Sequence, residues 1–390
     1  MMKRNLTLPT FLFALLLGGC AAVLPVPTSQ PVCPPCAEPE KPKPAAKPLQ
    51  AAEWADLPGW ETDDHTAVLD LFRQQCTSLA KRPLWLATCE AAQKVGGGGT
   101  ARAWFEAQFR PWVLVNPDDK HEGMVTGYYE PIVRGSRVAK PPYTVPVFGP
   151  PDDMIVVDLG ELYPELKHMR LRGKLDGRKL VPYFSRAEWS AEETRRSQQA
   201  LLWLDDPIDF FFLQIQGSGQ VALDDGSRVR IGYADQNGHP YRSIGKWLID
   251  QGELKSHEAS MQGIKAWAAA NPRRLQELLN ANPSLVFFRE LPVTGNGPPG
   301  AMGIPLTPER SIAIDPRHTP LGAPVWLSTT RPNSDEPLQR LVLAQDTGGA
   351  IRGPVRADFY WGSGAAAGTL AGKMKQSGRM WVLLPRWHTP

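Results

Sequence analysis

A mainly β fold, a barrel or sandwich with a few flanking helices, is the class this 390-residue sequence predicts. Short apolar runs rich in β-branched and aromatic residues recur along it: VTGYY, TVPVF, MIVVDL, FFFLQIQ, APVWL, RLVLAQD and MWVLLP. Gly, Pro and Asp cut these runs apart, which is the pattern of many short strands joined by dense turns. Helical signatures are confined to a few segments. With 42% apolar and 21% charged residues the chain can bury a real core, so a folded protein rather than a disordered one is expected.

Residues 1–20 read as a secretory signal. Lys3 and Arg4 form a short basic region, an apolar run extends from Phe11 to Leu17, and Gly18 and Gly19 precede Cys20. The run is too short to span a bilayer and stops at small residues suited to a signal peptidase. The pattern resembles a lipoprotein signal, which implies a diacylated Cys20; each buried methylene contributes roughly 0.8 kcal/mol to membrane attachment. Ala21, in place of Asp, implies the periplasmic face of the outer membrane. Residues 21–53 form a linker, with nine prolines among the twenty-four residues from Pro25 to Pro48. Such a segment is extended at roughly 3.1 Å per residue and would hold a folded domain away from its anchor.

Folded structure is expected from about Trp54. Leu69, Phe72, Cys76 and Leu79 share one helical face behind the cap candidates Asp63 and Asp64. A second helix is expected from about Ala191 to Leu204, opened by a capping box from Ser190 to Glu193. Two more cover about His257 to Ala270 and Pro272 to Ala281, the latter with Asn271 as cap and Pro272 in its first turn. Four prolines and four glycines between Pro292 and Pro305 mark a domain boundary or a cleft-lining loop.

Several functions are disfavoured. A formal charge of +3 without a long basic block argues against nucleic acid. The seven histidines (65, 121, 168, 239, 257, 318 and 388) include no pair at helix-face spacing, so a site without metal or other cofactor is expected. Cys33 and Cys36 have redox spacing but sit in the proline-rich linker. Cys76 and Cys89 are either a periplasmic disulfide or two core thiols. Asp346 opens a DTGG sequence, but an aspartic protease needs two such aspartates sharing a proton.

Three aspartates remain: Asp315 in RSIAIDPRHTPLG, Asp346 in LVLAQDTGGAIRG and Asp358 in VRADFYWGSG. Each follows a strand-like run and precedes Gly, Pro or an aromatic residue, a place where carboxylates are displayed but also where Asp merely bonds its own turn. Upstream lie TGYYEP at 126–131, PYFSRAEW at 182–189, FFFLQIQGSG at 210–219 and YADQNGHPYRSIGKWLIDQGE at 233–253. Together and in this order, these motifs resemble the membrane-bound lytic murein transglycosylase A family over nearly all of residues 54–385.

The resemblance implies a double-psi β-barrel built from residues 54–131 and 292–390, with a smaller β-rich domain, 132–291, inserted and a groove between them. It implies cleavage of the β-1,4 bond between N-acetylmuramic acid and N-acetylglucosamine, the muramic C6 hydroxyl closing a 1,6-anhydro ring. Asp358 is then the catalytic acid and base, with Asp346 and Asp315 nearby in support. The twelve-residue step from Asp346 to Asp358 implies a one-residue insertion near Pro354 to Arg356 relative to a shorter family pattern. Tyr128, Tyr129 and Trp361 would stack on sugars; Thr126, Gln214, Gln216 and Ser218 would bond hydroxyl and acetamido groups; Gly127, Gly217 and Gly219 would let backbone approach the glycan. Asn237, Tyr241 and Arg242 read equally as structural or groove-lining. Implied partners are peptidoglycan glycan strands, the outer membrane through the anchor, and murein synthase complexes, with a monomer as the default state. A silent cell-wall-binding lipoprotein is the alternative reading.

A solitary acid suits this chemistry, because no water has to be activated by a second carboxylate. An ordinary Asp, with a pKa of about 3.9, is rarely protonated at neutral pH. Charge from Asp346 and desolvation by Phe359, Tyr360 and Trp361 are expected to raise that of Asp358, giving a mildly acidic optimum.

Overall fold

The computed structural model describes residues 47–96, 100–166, 169, 171–292 and 297–390. The signal segment, Cys20, Cys33, Cys36 and most of the proline-rich linker lie outside the described residues. Folded structure begins earlier than Trp54: Leu49–Ala51 forms a strand antiparallel to Phe109–Leu114, so the end of the expected linker is part of the sheet.

The fold is mainly β, as expected, and its centre is a closed double-psi barrel. Six strands form a ring: Gly123–Glu130, Arg356–Ser363, Ser311–Ile314, Pro337–Thr347, Pro324–Thr330 and Lys375–Pro385, the last pairing back onto the first. Two of the pairings are parallel, 311–314 with 337–347 and 356–363 with 123–130. Closure leaves the ring without free edges and packs its interior with alternate side chains. Ile312, Ile314, Val325, Val342, Ala357 and Phe359 are all buried there.

Helices His65–Leu79, Leu86–Gln93 and Thr100–Gln108 cover one side of the barrel. The first is capped by Asp64, which accepts from the Ala67 N–H, and its buried stripe of Leu69, Phe72, Cys76 and Leu79 matches the expected face. Cys76 and Cys89 form a disulfide between the first two helices, with Cα atoms 5.5 Å apart, which decides between the two readings of those residues.

Strands between Ile132 and Leu291 build two further sheets, of six and three strands. At the first crossing between barrel and inserted segment, Glu130 is fully buried and pairs with Arg230 at 2.7 Å; it also accepts from Gln220 and Ser363.

Three local expectations are corrected here. FFFLQIQ is not a strand but the helix Pro207–Gln216: Asp206 caps the Ile208 and Asp209 N–H groups, Pro207 occupies the first turn, and Gly217 ends it at φ 78°. These start and stop signals, with Ile208 and Phe211 buried on one face, outweigh the β propensity of the apolar run. The capping box is Ser185 to Glu188 rather than Ser190 to Glu193, so the helix spans Arg186–Arg196 and Ala200–Leu204 is a strand. The third helix starts at Met261 behind Ser260, and Pro272–Arg274 is a 3-10 turn leading into Leu275–Asn280.

Candidate active site

The register of the barrel gathers the acidic residues. Ala313 is paired with Asp358 on one side and Asp346 on the other, and Asp358 is paired in turn with Thr126. Directly opposed residues point their side chains to the same face. Asp346 and Asp358 therefore share a face with only a methyl group between their strands. A bulge in the 337–347 strand, at Gln345, aims Asp346 this way.

Asp358 is surrounded by few polar groups. The Thr126 hydroxyl donates to its Oδ1, Arg356 Nη1 donates to the same oxygen at 2.7 Å, and Arg356 Nη2 donates to Thr126 Oγ1 at 2.9 Å. Burial pushes the carboxyl upward, and the charge and hydrogen bond of Arg356 offset part of that; the net effect is a raised pKa. The cause differs from expectation in two respects. Asp346 is not a principal source of the rise, and Phe359 and Trp361 face the barrel interior; of the three aromatic neighbours only Tyr360 shares the face of Asp358.

Asp346 is raised further, to about 6. Burial is the main cause, acting against the N–H groups of Thr347 at 2.9 Å and Ala301 at 3.0 Å and the hydroxyl of Tyr128. That hydroxyl is buried, and its own ionisation is strongly disfavoured by burial and by the charge of Asp346. The Tyr128 and Tyr360 rings pack 5.2 Å apart on the same row.

Asp315 does a different job. Its side chain is fully buried and accepts from Arg317 Nε at 2.9 Å and the Gly353 N–H at 2.9 Å. Burial works to raise its pKa, but Arg317 and the backbone N–H groups of Gly353 and Arg317 hold the carboxyl well below the usual range. It ties the turn after strand 311–314 to the loop that leads into the Asp358 strand.

A groove of about 820 Å³ lies beside this row. Gln214, Gln216, Gly217 and Ser218 line one wall, Gly300 to Gly303 and Asp346 to Ala350 the other; Tyr241 lines it too. Asp358 is not among the lining residues; its side chain keeps 22% exposure at the barrel face.

Comparison with known proteins decides the family. The model of the MltA-specific insert domain matches residues 124–289 and that of the 3D domain residues 310–384. Membrane-bound lytic murein transglycosylase A of Escherichia coli K12 is 33% identical over 294 residues, covering 73% of this chain and 72% of that protein. The chain belongs to the membrane-bound lytic murein transglycosylase A family. It is thereby an enzyme of the lytic transglycosylase class. The crystal structure of MltA from Neisseria gonorrhoeae superposes with a TM-score of 0.78 at 38% identity, covering 88% of this chain and 94% of that one. E. coli MltA with bound chitohexaose superposes with a TM-score of 0.65 at 26% identity, covering 88% and 96%.

Within this lytic transglycosylase A fold, not every residue singled out in the sequence reaches the groove. Trp361 is a correction: it is 5% exposed, packed on Phe359, and donates Nε1 to Met374 Sδ, so it is a core residue that cannot stack on a sugar. Gly127 is turned the same way; a Cβ there would stand 2.7 Å from Trp361 Nε1 and 2.8 Å from Ala371 Cα, so its missing side chain admits helix Gly364–Lys373 rather than a glycan. Tyr129 also points away from Asp358, its hydroxyl against Met261 and its N–H donating to Gln216 Oε1. Gly219 packs on Leu213 and Pro131. Asn237 is buried and donates to Phe184 and Pro283 carbonyls, a structural part. Sequence reading missed Arg356, Ala313 and the groove arginine Arg186.

Proposed function

We propose that this protein cleaves the β-1,4 bond between N-acetylmuramic acid and N-acetylglucosamine in peptidoglycan and leaves 1,6-anhydromuramic ends, with Asp358 as its single acid and base. One observation carries the reading: Asp358 is a largely buried carboxyl with raised proton affinity, in contact with one hydroxyl and one guanidinium but no second carboxylate. The chitohexaose complex of the E. coli relative supports a glycan in the groove.

In the reading's first half, neutral Asp358 gives its proton to the leaving glycosidic oxygen as the muramic C1–O bond breaks. The resulting carboxylate is stabilised by Arg356 and by the Thr126 hydroxyl, which holds the same oxygen. In the second half that carboxylate takes the proton of the muramic C6 hydroxyl as its oxygen bonds to C1. The acid is regenerated and no water is consumed. Opposed influences on Asp358, burial raising and Arg356 lowering, suit a group that must be both acid and base. Asp346, neutral about half the time near pH 6, keeps a second fixed negative charge from the same row. Asp315 sets the loop before Asp358.

Residues 54–131 and 292–390 act as the catalytic domain and 132–291 as the insert that closes over the glycan, with Tyr128, Gln214, Gln216, Gly217 and Ser218 as sugar contacts. An acylated Cys20 would hold the monomer at the periplasmic face of the outer membrane. The relatives are named membrane-bound, and among the described residues no helix is long and apolar enough to cross a membrane. Peptidoglycan strands are the substrate, and murein synthase complexes are natural companions.

Digestion of purified sacculi tests the reaction. Mass spectra of the released muropeptides should show anhydro ends, lighter by one water than hydrolysis products. Reducing ends would make the protein a hydrolase, and no release would leave only the cell-wall-binding alternative.

A further inference from the structure

Arg186 is a buried cation that forms no ion pair among the described residues. It is 7% exposed and opens helix Arg186–Arg196 directly after its cap, at the positive end of the helix dipole, where a cation is disfavoured. Three neutral oxygens fix its guanidinium: Nε donates to the Asn282 carbonyl at 3.0 Å, and Nη2 to Gln214 Oε1 and the Ser284 carbonyl, each at 2.6 Å. Its carbon packs 4.9 Å from the centre of the Phe211 ring. Nη1 has no such partner among the described residues, and the residue lines the groove. Glu193 is the one carboxylate whose charge acts on it appreciably, and it makes no ion pair with it. Burial accordingly lowers the proton affinity of this guanidinium, to a pKa of about 10.

Burying a charge without a partner is costly, and a side chain held by three carbonyl groups cannot swing out to escape that cost. The same groove carries a second cation, Arg289, which is exposed and forms no ion pair among the described residues. Among the described residues the only acidic one lining the groove is Asp346, which burial keeps partly neutral. The groove therefore has a surplus of fixed positive charge on the wall opposite the carboxyl row, together with a preset guanidinium edge. A neutral glycan explains neither.

We infer that Arg186, assisted by Arg289, binds a carboxylate carried by the muramic residues of the substrate, so that the groove reads the substituent as well as the sugar. This rests on the proposed peptidoglycan reading and deepens it. Two sources offer that chemistry: the peptide stem, with its own free carboxylates, and the lactyl group, whose carboxylate is free only where the stem has been removed.

Binding rather than turnover separates this inference from the reaction itself. The full-length Asp358→Asn protein is titrated by calorimetry with chitohexaose, with murein strands stripped of stems by an amidase, and with stem-bearing strands of matched length. At low ionic strength, one of the two carboxylate-bearing ligands should bind at least about tenfold more tightly than chitohexaose, and added salt should erode that advantage. Tighter stem-bearing strands assign the stem carboxylate, and tighter stripped strands the lactyl one. In Arg289→Gln and Arg186→Gln backgrounds the advantage should fall to within about threefold while chitohexaose binding stays in place. Should Arg186→Gln not fold, the Arg289→Gln and salt series decide. Equal affinity for all three ligands, or an advantage that survives both substitutions, overturns the inference. A failure of the unsubstituted protein to release anhydro products would strike the proposed reaction and leave these affinities standing.

Discussion

Replacing Asp346 by Asn probes how much the barrel gives up to hold a carboxylate at this site. The geometry favours a clean substitution: Oδ1 accepts from the Thr347 and Ala301 N–H groups, and an amide carbonyl takes both bonds unchanged. What the substitution removes is the ionisable proton. Lifting a carboxyl from 3.8 to about 6 means that above pH 6 its ionised form is disfavoured in the folded state by about 3 kcal/mol, at roughly 1.36 kcal/mol per pH unit. The sign follows from linkage: a raised carboxyl binds protons more tightly when folded, so its contribution is favourable below about pH 4 and is lost as pH rises to about 6. Urea unfolding of both proteins from about pH 3 to about pH 8 reads this directly. The stability of Asp346→Asn relative to the original should climb by about 3 kcal/mol across that range and flatten at each end. A difference independent of pH would mean that Asp346 titrates as an ordinary surface carboxyl and that the burial argument fails.

Other expectations concern the neighbours of this group. Arg356 lowers the proton affinity of Asp358, so Arg356→Gln should move the alkaline limb of the kcat/KM profile to higher pH; a limb that stays put would show that the pair is broken in solution. Cys76→Ser with Cys89→Ser opens a loop of 13 residues and should cost about 3 kcal/mol of unfolding free energy, lowering the melting temperature under oxidising but not reducing conditions. Gly127→Ala forces a methyl against Trp361 and Ala371 and should destabilise by about 1–3 kcal/mol in thermal melts, an outcome a groove-facing glycine would not give.

How much of this was legible in the sequence depended on which periodicity governed each segment. The barrel strands announced themselves, and the helix at His65–Leu79 showed both its cap and its stripe. FFFLQIQ was misread because an apolar run satisfies strand and helix alike; the Asp206–Pro207 start and the Gly217 stop were the better guide. Strict alternation from Asp358 already places Arg356 and Tyr360 on its face and Phe359 and Trp361 on the other, so a sugar-stacking Trp361 conflicted with strand geometry from the outset. That same alternation was the available signal for Arg356. Arg186 offered none: it stands before the helix start expected at Ala191, and only the closure of Asn282 and Ser284 around it makes it a buried cation. The pairing of Asp346 and Asp358 across Ala313 depends on strand order, which motifs do not reveal.

The central claim is that one carboxyl both gives and takes the proton. Its most direct measurement is the rate of anhydro-muropeptide release from sacculi by Asp358→Asn, with circular dichroism and thermal melting confirming an unchanged fold. An amide can neither protonate the glycosidic oxygen nor accept the C6 hydroxyl proton, so release should fall by about a thousandfold or more. A variant that keeps more than about a tenth of the original rate would place the acid elsewhere and contradict the account.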